Sequence, residues 1–207
     1  MDFKGQKVTA LVDPKDWNID PEGAYFYYCD NETISGFEFP FVPEGREKFN
    51  KKKIIKVKDQ ILVCDMSSNF CSKPVDVSKY GLIFAGAQKN VGPAGVTIVI
   101  VREDLLDKKL DLTPTMCDYK IMAASESMHN TPPCFSIYIC GLYFEYLKKV
   151  GGLQYWVDHN QKKANLLYDF IDGSNGFYNA PIEKAFRSKM NVPFRIKNSL
   201  FDYYYFF

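Results

Sequence analysis

Histidine is nearly missing from this 207-residue chain, which holds only His129 and His159. Two isolated imidazoles make no convincing metal cluster, so no metal site is expected. The six cysteines, Cys29, Cys64, Cys71, Cys117, Cys134 and Cys140, contain no Cys-x-x-Cys pair. Several sit inside apolar runs, which favours free buried thiols over disulfides or a zinc site. Charge of one sign is also lacking. With 26 basic and 25 acidic residues the net charge is +1, which removes any general attraction to nucleic acid or an anionic membrane. No apolar stretch approaches the roughly 20 residues that span a bilayer, and Met1-Asp2-Phe3-Lys4-Gly5 lacks the apolar core of a signal peptide. Without such a signal, the glycosylation pattern at Asn31-Glu32-Thr33 reads as chance. What remains is the profile of a soluble protein of a reducing, cytoplasmic compartment. Its 46% hydrophobic content suffices for a core, and its length allows one large domain or parts of two.

The most organised stretch runs from Ile61 to Val101. Ile61-Leu62-Val63-Cys64 is a short apolar run ending in Asp65, and Leu82-Ile83-Phe84-Ala85 is another, followed by Gly86-Ala87-Gln88-Lys89-Asn90. A glycine turn then leads into Val96–Val101. Continuous apolar strands predict a sheet covered on both faces. Groups just past the carboxyl ends of such strands project into a binding crevice, and Asp65 and Lys89 hold that position on two strands. A lysine and a carboxylate so placed suit pyridoxal phosphate, which needs an amine for its Schiff base and a carboxylate for its pyridinium nitrogen. The competing reading is a turn-capping Asp65 and a solvated Lys89.

Elsewhere, strands are predicted at Lys7–Val12, at Ala24–Cys29 and in the Phe-rich stretch 37–41. Thr33, just after the second of these, fits ordinary turn chemistry. Residues 44–60 are strongly basic and read as a solvated loop, a polyanion-binding patch or translated intron. Residues 102–106 resemble a helix start with acids in the first turn. Asn130 and Thr131 fit a helix N-cap. Amphipathic helices are expected over Phe135–Val150 and Leu153–Ile171, stopped by Gly151-Gly152 and near Gly173. The aromatic tail 199–207 combines high β-propensity with little charge, an aggregation hazard if exposed.

Val63-Cys64-Asp65-Met66-Ser67-Ser68-Asn69 and Phe84-Ala85-Gly86-Ala87-Gln88-Lys89-Asn90-Val91-Gly92 resemble the phosphoserine aminotransferases, a class V, fold type I family. So do Trp17-Asn18, Tyr27-Tyr28-Cys29 with Asn31-Glu32-Thr33, Asn130-Thr131-Pro132-Pro133 and Arg187–Arg195. The resemblance runs from about Asp13 to Ile196. It implies an α/β fold: part of a fold type I large domain over 1–175, mostly parallel sheet flanked by helices, with 44–60 as a basic insertion. The start of a small C-terminal α+β domain would occupy 176–207. It implies pyridoxal phosphate bonded to the catalytic Lys89, with Asp65 on the ring nitrogen, Thr33 on the phenolic oxygen and Gln88 near the phosphate. Asn130 and Thr131 would contact the phosphate held by the partner subunit of a homodimer. Glutamate would donate its amino group to 3-phosphohydroxypyruvate, giving 2-oxoglutarate and phosphoserine for serine biosynthesis. The related cysteine desulfurases place a His before the lysine, where this chain has Gln88. The family's glycine-rich phosphate loop and its basic substrate-binding residues have no counterpart in these 207 residues. The chain alone is therefore expected to be weak or inactive. The alternative is a non-catalytic interaction or dimerisation partner of an intact subunit.

Overall fold

Residues 2–3, 6–7, 9–20, 22–43 and 60–197 are described by the computed structural model. The basic stretch, apart from Gln60, and the aromatic tail lie outside the described residues. A hairpin of β1 (Asp2–Phe3) and β2 (Gln6–Lys7) opens the chain. Of the strand expected over Lys7–Val12, residues 9–12 are not in a strand. Its carbonyls are engaged elsewhere: Thr9 accepts from the Glu183 amide at 2.9 Å and Val12 from the Trp17 indole at 2.8 Å. That leaves no continuous ladder to extend.

The main sheet joins β3 (Tyr25–Cys29), β6 (Ile61–Asp65), β7 (Leu82–Gly86) and β8 (Thr97–Val101) in the order β3-β6-β7-β8. Its first two pairings are parallel and the last is antiparallel. Between β3 and β6 lies a small hairpin of β4 (Asn31–Glu32) and β5 (Phe37–Glu38); the Phe-rich strand stops at Glu38.

Side chains alternate across the sheet with period 2. Tyr28, Leu62, Cys64 and Ile83 bury one face together with Met66 and Tyr80. The Tyr28 and Tyr80 hydroxyls satisfy each other at 3.0 Å, and burial pushes both phenols up, Tyr80 to about 12. Farther along, Ala87, Val91 and Cys140 continue the packing with Ile98 and Phe144. On the opposite face Tyr25, Tyr27 and Val99 remain 60%, 51% and 38% exposed. The cover expected on this second face does not come from the described residues. Among the described residues the helical layer lies on one face, and alternation is legible only on that side.

The helix start predicted after Val101 is a single 3-10 turn, Glu103–Leu105. The polar run Asp107-Lys108-Lys109 offers no apolar stripe to extend it. A short α1 (Tyr119–Ala124) that the sequence reading did not anticipate is capped by Asp118, whose carboxylate accepts from the Lys120 and Ile121 amides. The two long helices fall where periodicity places them, α2 at Cys134–Lys149 and α3 at Gly152–Asp172. Gly151, at φ 119°, makes the reversal between them, a conformation costly for any side chain. On α3 the buried positions Asn160, Ala164, Tyr168 and Ile171 form one stripe. The lower part of that stripe packs against Tyr178, Ala180, Val192 and Phe194. Tyr178 belongs to the last hairpin, β9 (Tyr178–Asn179) with β10 (Arg195–Ile196).

Ile83 is 2% exposed and Val99 38%, so truncating them should separate the two faces. Ile83→Ala is expected to cost about 2–5 kcal/mol, read from the urea midpoint, and Val99→Ala much less.

Candidate active site

Parallel pairing brings the carboxyl ends of β3, β6 and β7 to one edge, with Cys29, Asp65 and Phe84 in register. The ladder extends one step into the loops, through the Asp30 amide to the Asp65 carbonyl at 3.0 Å and the Met66 amide to Phe84 at 2.9 Å. Everything chemical at this edge hangs on those loops.

Asp65 caps its own turn, accepting the Ser67 amide at 2.8 Å through one carboxylate oxygen. The Ser67 hydroxyl in turn accepts the Gly86 amide at 3.0 Å, joining the Asp65 turn to the turn that carries Lys89. That second turn closes on Ala87, whose carbonyl receives the Val91 and Gly92 amides at 3.1 and 2.9 Å. Asn90 fixes it from below by donating to the Phe70 carbonyl at 2.6 Å. Lys89 projects from the turn, exposed, and its Nζ donates to the Thr33 hydroxyl at 2.7 Å.

Two neighbours register the charge here. Burial and then the Asp65 carboxylate push the Cys29 thiol up to about 11, while Lys89 acts the other way. Burial, followed by Asp65, also raises the Tyr27 hydroxyl. The carboxylate and the ammonium thus act on one small region between strand ends.

Gln88 is exposed in the same turn, its amide lying over Gly86, where an added Cβ would meet Gln88 Oε1 at 2.7 Å. Asn130 and Thr131 are exposed in the loop before α2. Asn130 Nδ2 donates to the Thr131 carbonyl at 3.3 Å, and no described contact brings either residue to the other four. The expectation that they cap α2 is corrected. Pro132 and Pro133 separate them from the helix, and Pro133 takes the N-cap position without a side-chain bond. The structure thus joins Thr33 to Lys89 and sets Asp65 and Gln88 beside them.

Sequence reasoning passed over a buried polar group under the same loops. Asn31, 1% exposed, donates to Ser68 Oγ and to Asn191 Oδ1, each at 2.7 Å, and accepts from Ser188 Oγ at 2.5 Å. Beside it Lys73 pairs with Asp30 at 2.9 Å and with Glu38 at 3.0 Å. Burial works against the Lys73 charge, but the two carboxylates prevail and hold its pKa above the usual lysine range. Asn69 donates to Asp30 at 2.6 Å. Behind Ser188, Arg187 grips Asp172 through two bonds of 2.9 and 2.8 Å and lies 4.7 Å from the centre of the Tyr168 ring. For Asn31, Ser68, Asn69, Arg187, Ser188 and Asn191 the signal was motif membership, in Asn31-Glu32-Thr33, Val63–Asn69 and Arg187–Arg195.

An amine, a hydroxyl and a carboxylate at adjoining strand ends match the donor set that pyridoxal phosphate needs. The amine is exposed and held by a neutral hydroxyl, so it is accessible to an aldehyde. Comparison with known proteins gives the same class. The aminotransferase class-V family model matches residues 4–202, and the chain belongs to that family. The match extends beyond the Asp13–Ile196 limits read from the motifs and takes in the start of the tail. More particularly, the chain is 52% identical over 194 residues to a phosphoserine aminotransferase of Laribacter hongkongensis, covering 94% of this chain and 50% of the relative. It is 51% identical over 196 residues to chloroplastic phosphoserine aminotransferase 1 of Arabidopsis thaliana, covering 95% and 43%. The structure of pyridoxal-phosphate-bound phosphoserine aminotransferase from Trichomonas vaginalis superposes with a TM-score of 0.82 at 37% identity, over 93% of this chain and 51% of that one. The fold is thus that of a fold type I aminotransferase, a mostly parallel sheet with helices. The chain spans about half the length of the curated relatives it matches.

The Asp172 carboxyl is held well below the usual carboxylate range by the Arg187 and Lys184 hydrogen bonds. A depressed carboxyl stabilises the fold above its unfolded pKa, and that contribution fades as pH falls through the folded value. Asp172→Asn should therefore destabilise at pH 7 by about 1 kcal/mol, limited by solvent screening of the 30% exposed side chain. The penalty should shrink below about pH 4, compared by urea midpoints at neutral and acid pH.

Proposed function

We propose that this chain carries the cofactor-binding half of a phosphoserine aminotransferase, which moves the amino group of glutamate to 3-phosphohydroxypyruvate. The products are phosphoserine and 2-oxoglutarate, a step of serine biosynthesis. The observation that carries the reading is the Lys89–Thr33 contact of 2.7 Å at the strand end next to Asp65, in a chain about half identical to proteins of that name.

Pyridoxal phosphate, when bound, supplies an electron sink in its protonated ring. Lys89 would hold the group through its amine and, once that amine is free, would move a proton at the substrate's alpha carbon. Asp65 would hold the ring nitrogen in its protonated form, since a nearby carboxylate favours the positive charge. Its bond to the Ser67 amide fixes the direction in which it is presented. Thr33 steers Lys89 and offers its hydroxyl to the cofactor's phenolic oxygen. Gln88 belongs to the phosphate end. Asn130 and Thr131, exposed in the loop before α2, would contact the phosphate in a partner subunit, which would make the working form a homodimer.

The same reading divides the chain into large-domain residues 1–175, with 44–60 as a basic insertion, and the start of the small domain at 176–207. The β9–β10 hairpin after α3 supports that division. A reducing, cytoplasmic location is supported by six cysteines that are all free. No helix among the described residues is long and apolar enough to cross a membrane. No observation favours the reading as a non-catalytic partner.

The test is release of 2-oxoglutarate from glutamate and 3-phosphohydroxypyruvate by the protein expressed from its own gene. Lys89→Ala is expected to lower turnover by about 10²–10⁴-fold or more. Turnover that survives this change would overturn the assignment.

A further inference from the structure

The hairpin that presents Thr33 does not stand alone; it is seated on residues 186–193. The Ser188 amide donates to the Gly36 carbonyl at 2.8 Å, Phe37 bridges to Arg187, and the Phe37 ring stacks on Phe186 at 5.6 Å. Lys189 donates its amide to Glu38 at 3.1 Å. Gly36, at φ +72°, lies so near this segment that an added Cβ would meet Pro193 Cδ at 2.2 Å. From the other side, the Ser188 hydroxyl accepts the Met190 and Asn191 amides at 3.0 and 2.9 Å while donating to Asn31 Oδ1. Asn31 passes the constraint to Ser68, whose hydroxyl also donates to the Asn31 carbonyl at 2.7 Å. All three side chains are at most 5% exposed, so a lost partner there is not replaced by solvent.

We propose that Ser188 and Asn31 are positioning residues: they set the Thr33 hydroxyl against Lys89, so that residues 187–193 govern how tightly the cofactor lysine is held. The role assigned to Lys89 rests on the function proposed above; the coupling itself does not. Removing the Ser188 hydroxyl leaves Asn31 Oδ1 and two amides without their bonds. The Asn31 amide then turns, the hairpin shifts, and Thr33 leaves the lysine.

The experiment is a double-mutant cycle on cofactor-free protein, reading the rate at which an amine-reactive reagent labels Lys89 by peptide mapping. Thr33→Val should raise labelling about two- to tenfold, the worth of one hydrogen bond. Ser188→Ala should raise it by a similar factor, and the double variant should add nothing further, as expected for residues acting through one contact. Wild-type labelling in folded Ser188→Ala, or fully additive effects, would overturn the proposal. So would a Thr33→Val rate equal to that of the wild type. If Ser188→Ala does not fold, Asn191→Ala decides the matter, since it removes only the 2.7 Å bond to Asn31; an unchanged rate there counts against the coupling. Pyridoxal phosphate binding to the wild type, measured separately by absorbance, tests the function. Its failure would leave the labelling cycle standing.

Discussion

Parallel pairing of β3, β6 and β7 is the constraint from which the rest follows. It forces three strand ends to one edge, so three loops of different sequence must share one space. Hydrogen bonds between those loops, from the Gly86 amide to Ser67 and from Lys89 to Thr33, are the consequence. An antiparallel β6 or β7 would send Asp65 or Lys89 to the opposite end of the sheet, and no local change could restore the site.

The loops that meet at this edge cannot be apolar, because their backbone groups and functional side chains need partners. The chain supplies these partners from within. Asn31 bonds Ser68, Ser188 and Asn191, and Lys73 pairs with both Asp30 and Glu38. Such a network contributes little net stability compared with apolar packing, but breaking one member is costly. Its effect here is to fix geometry, placing the Thr33 hairpin on a segment that follows α3.

Legibility in the sequence divides along the same line. The strand ends at Asp65 and Gly86 and the helices α2 and α3 were readable because apolar periodicity marks them. The placement of Lys89, Asp65 and Thr33 at one sheet edge was readable through motif and strand-end position. The polar network was not. Asn31 and Ser188 are 157 residues apart, and Asn31 and Asn191 160; loop serines and asparagines have no period to betray a distant partner. What covers each sheet face was not legible, because a continuous apolar run is the same string whichever segment lies over it. The N-cap assigned to Asn130 and Thr131 failed because two prolines displaced the helix start.

The central claim is that the exposed amine at the end of β7 is the cofactor-bonding group. Borohydride reduction of the protein in the presence of pyridoxal phosphate, followed by peptide mapping, tests it directly. The account predicts one stable pyridoxyl group, on the peptide containing Lys89. Modification of a different lysine, or a Lys89 peptide that remains unmodified at saturating cofactor, would contradict it.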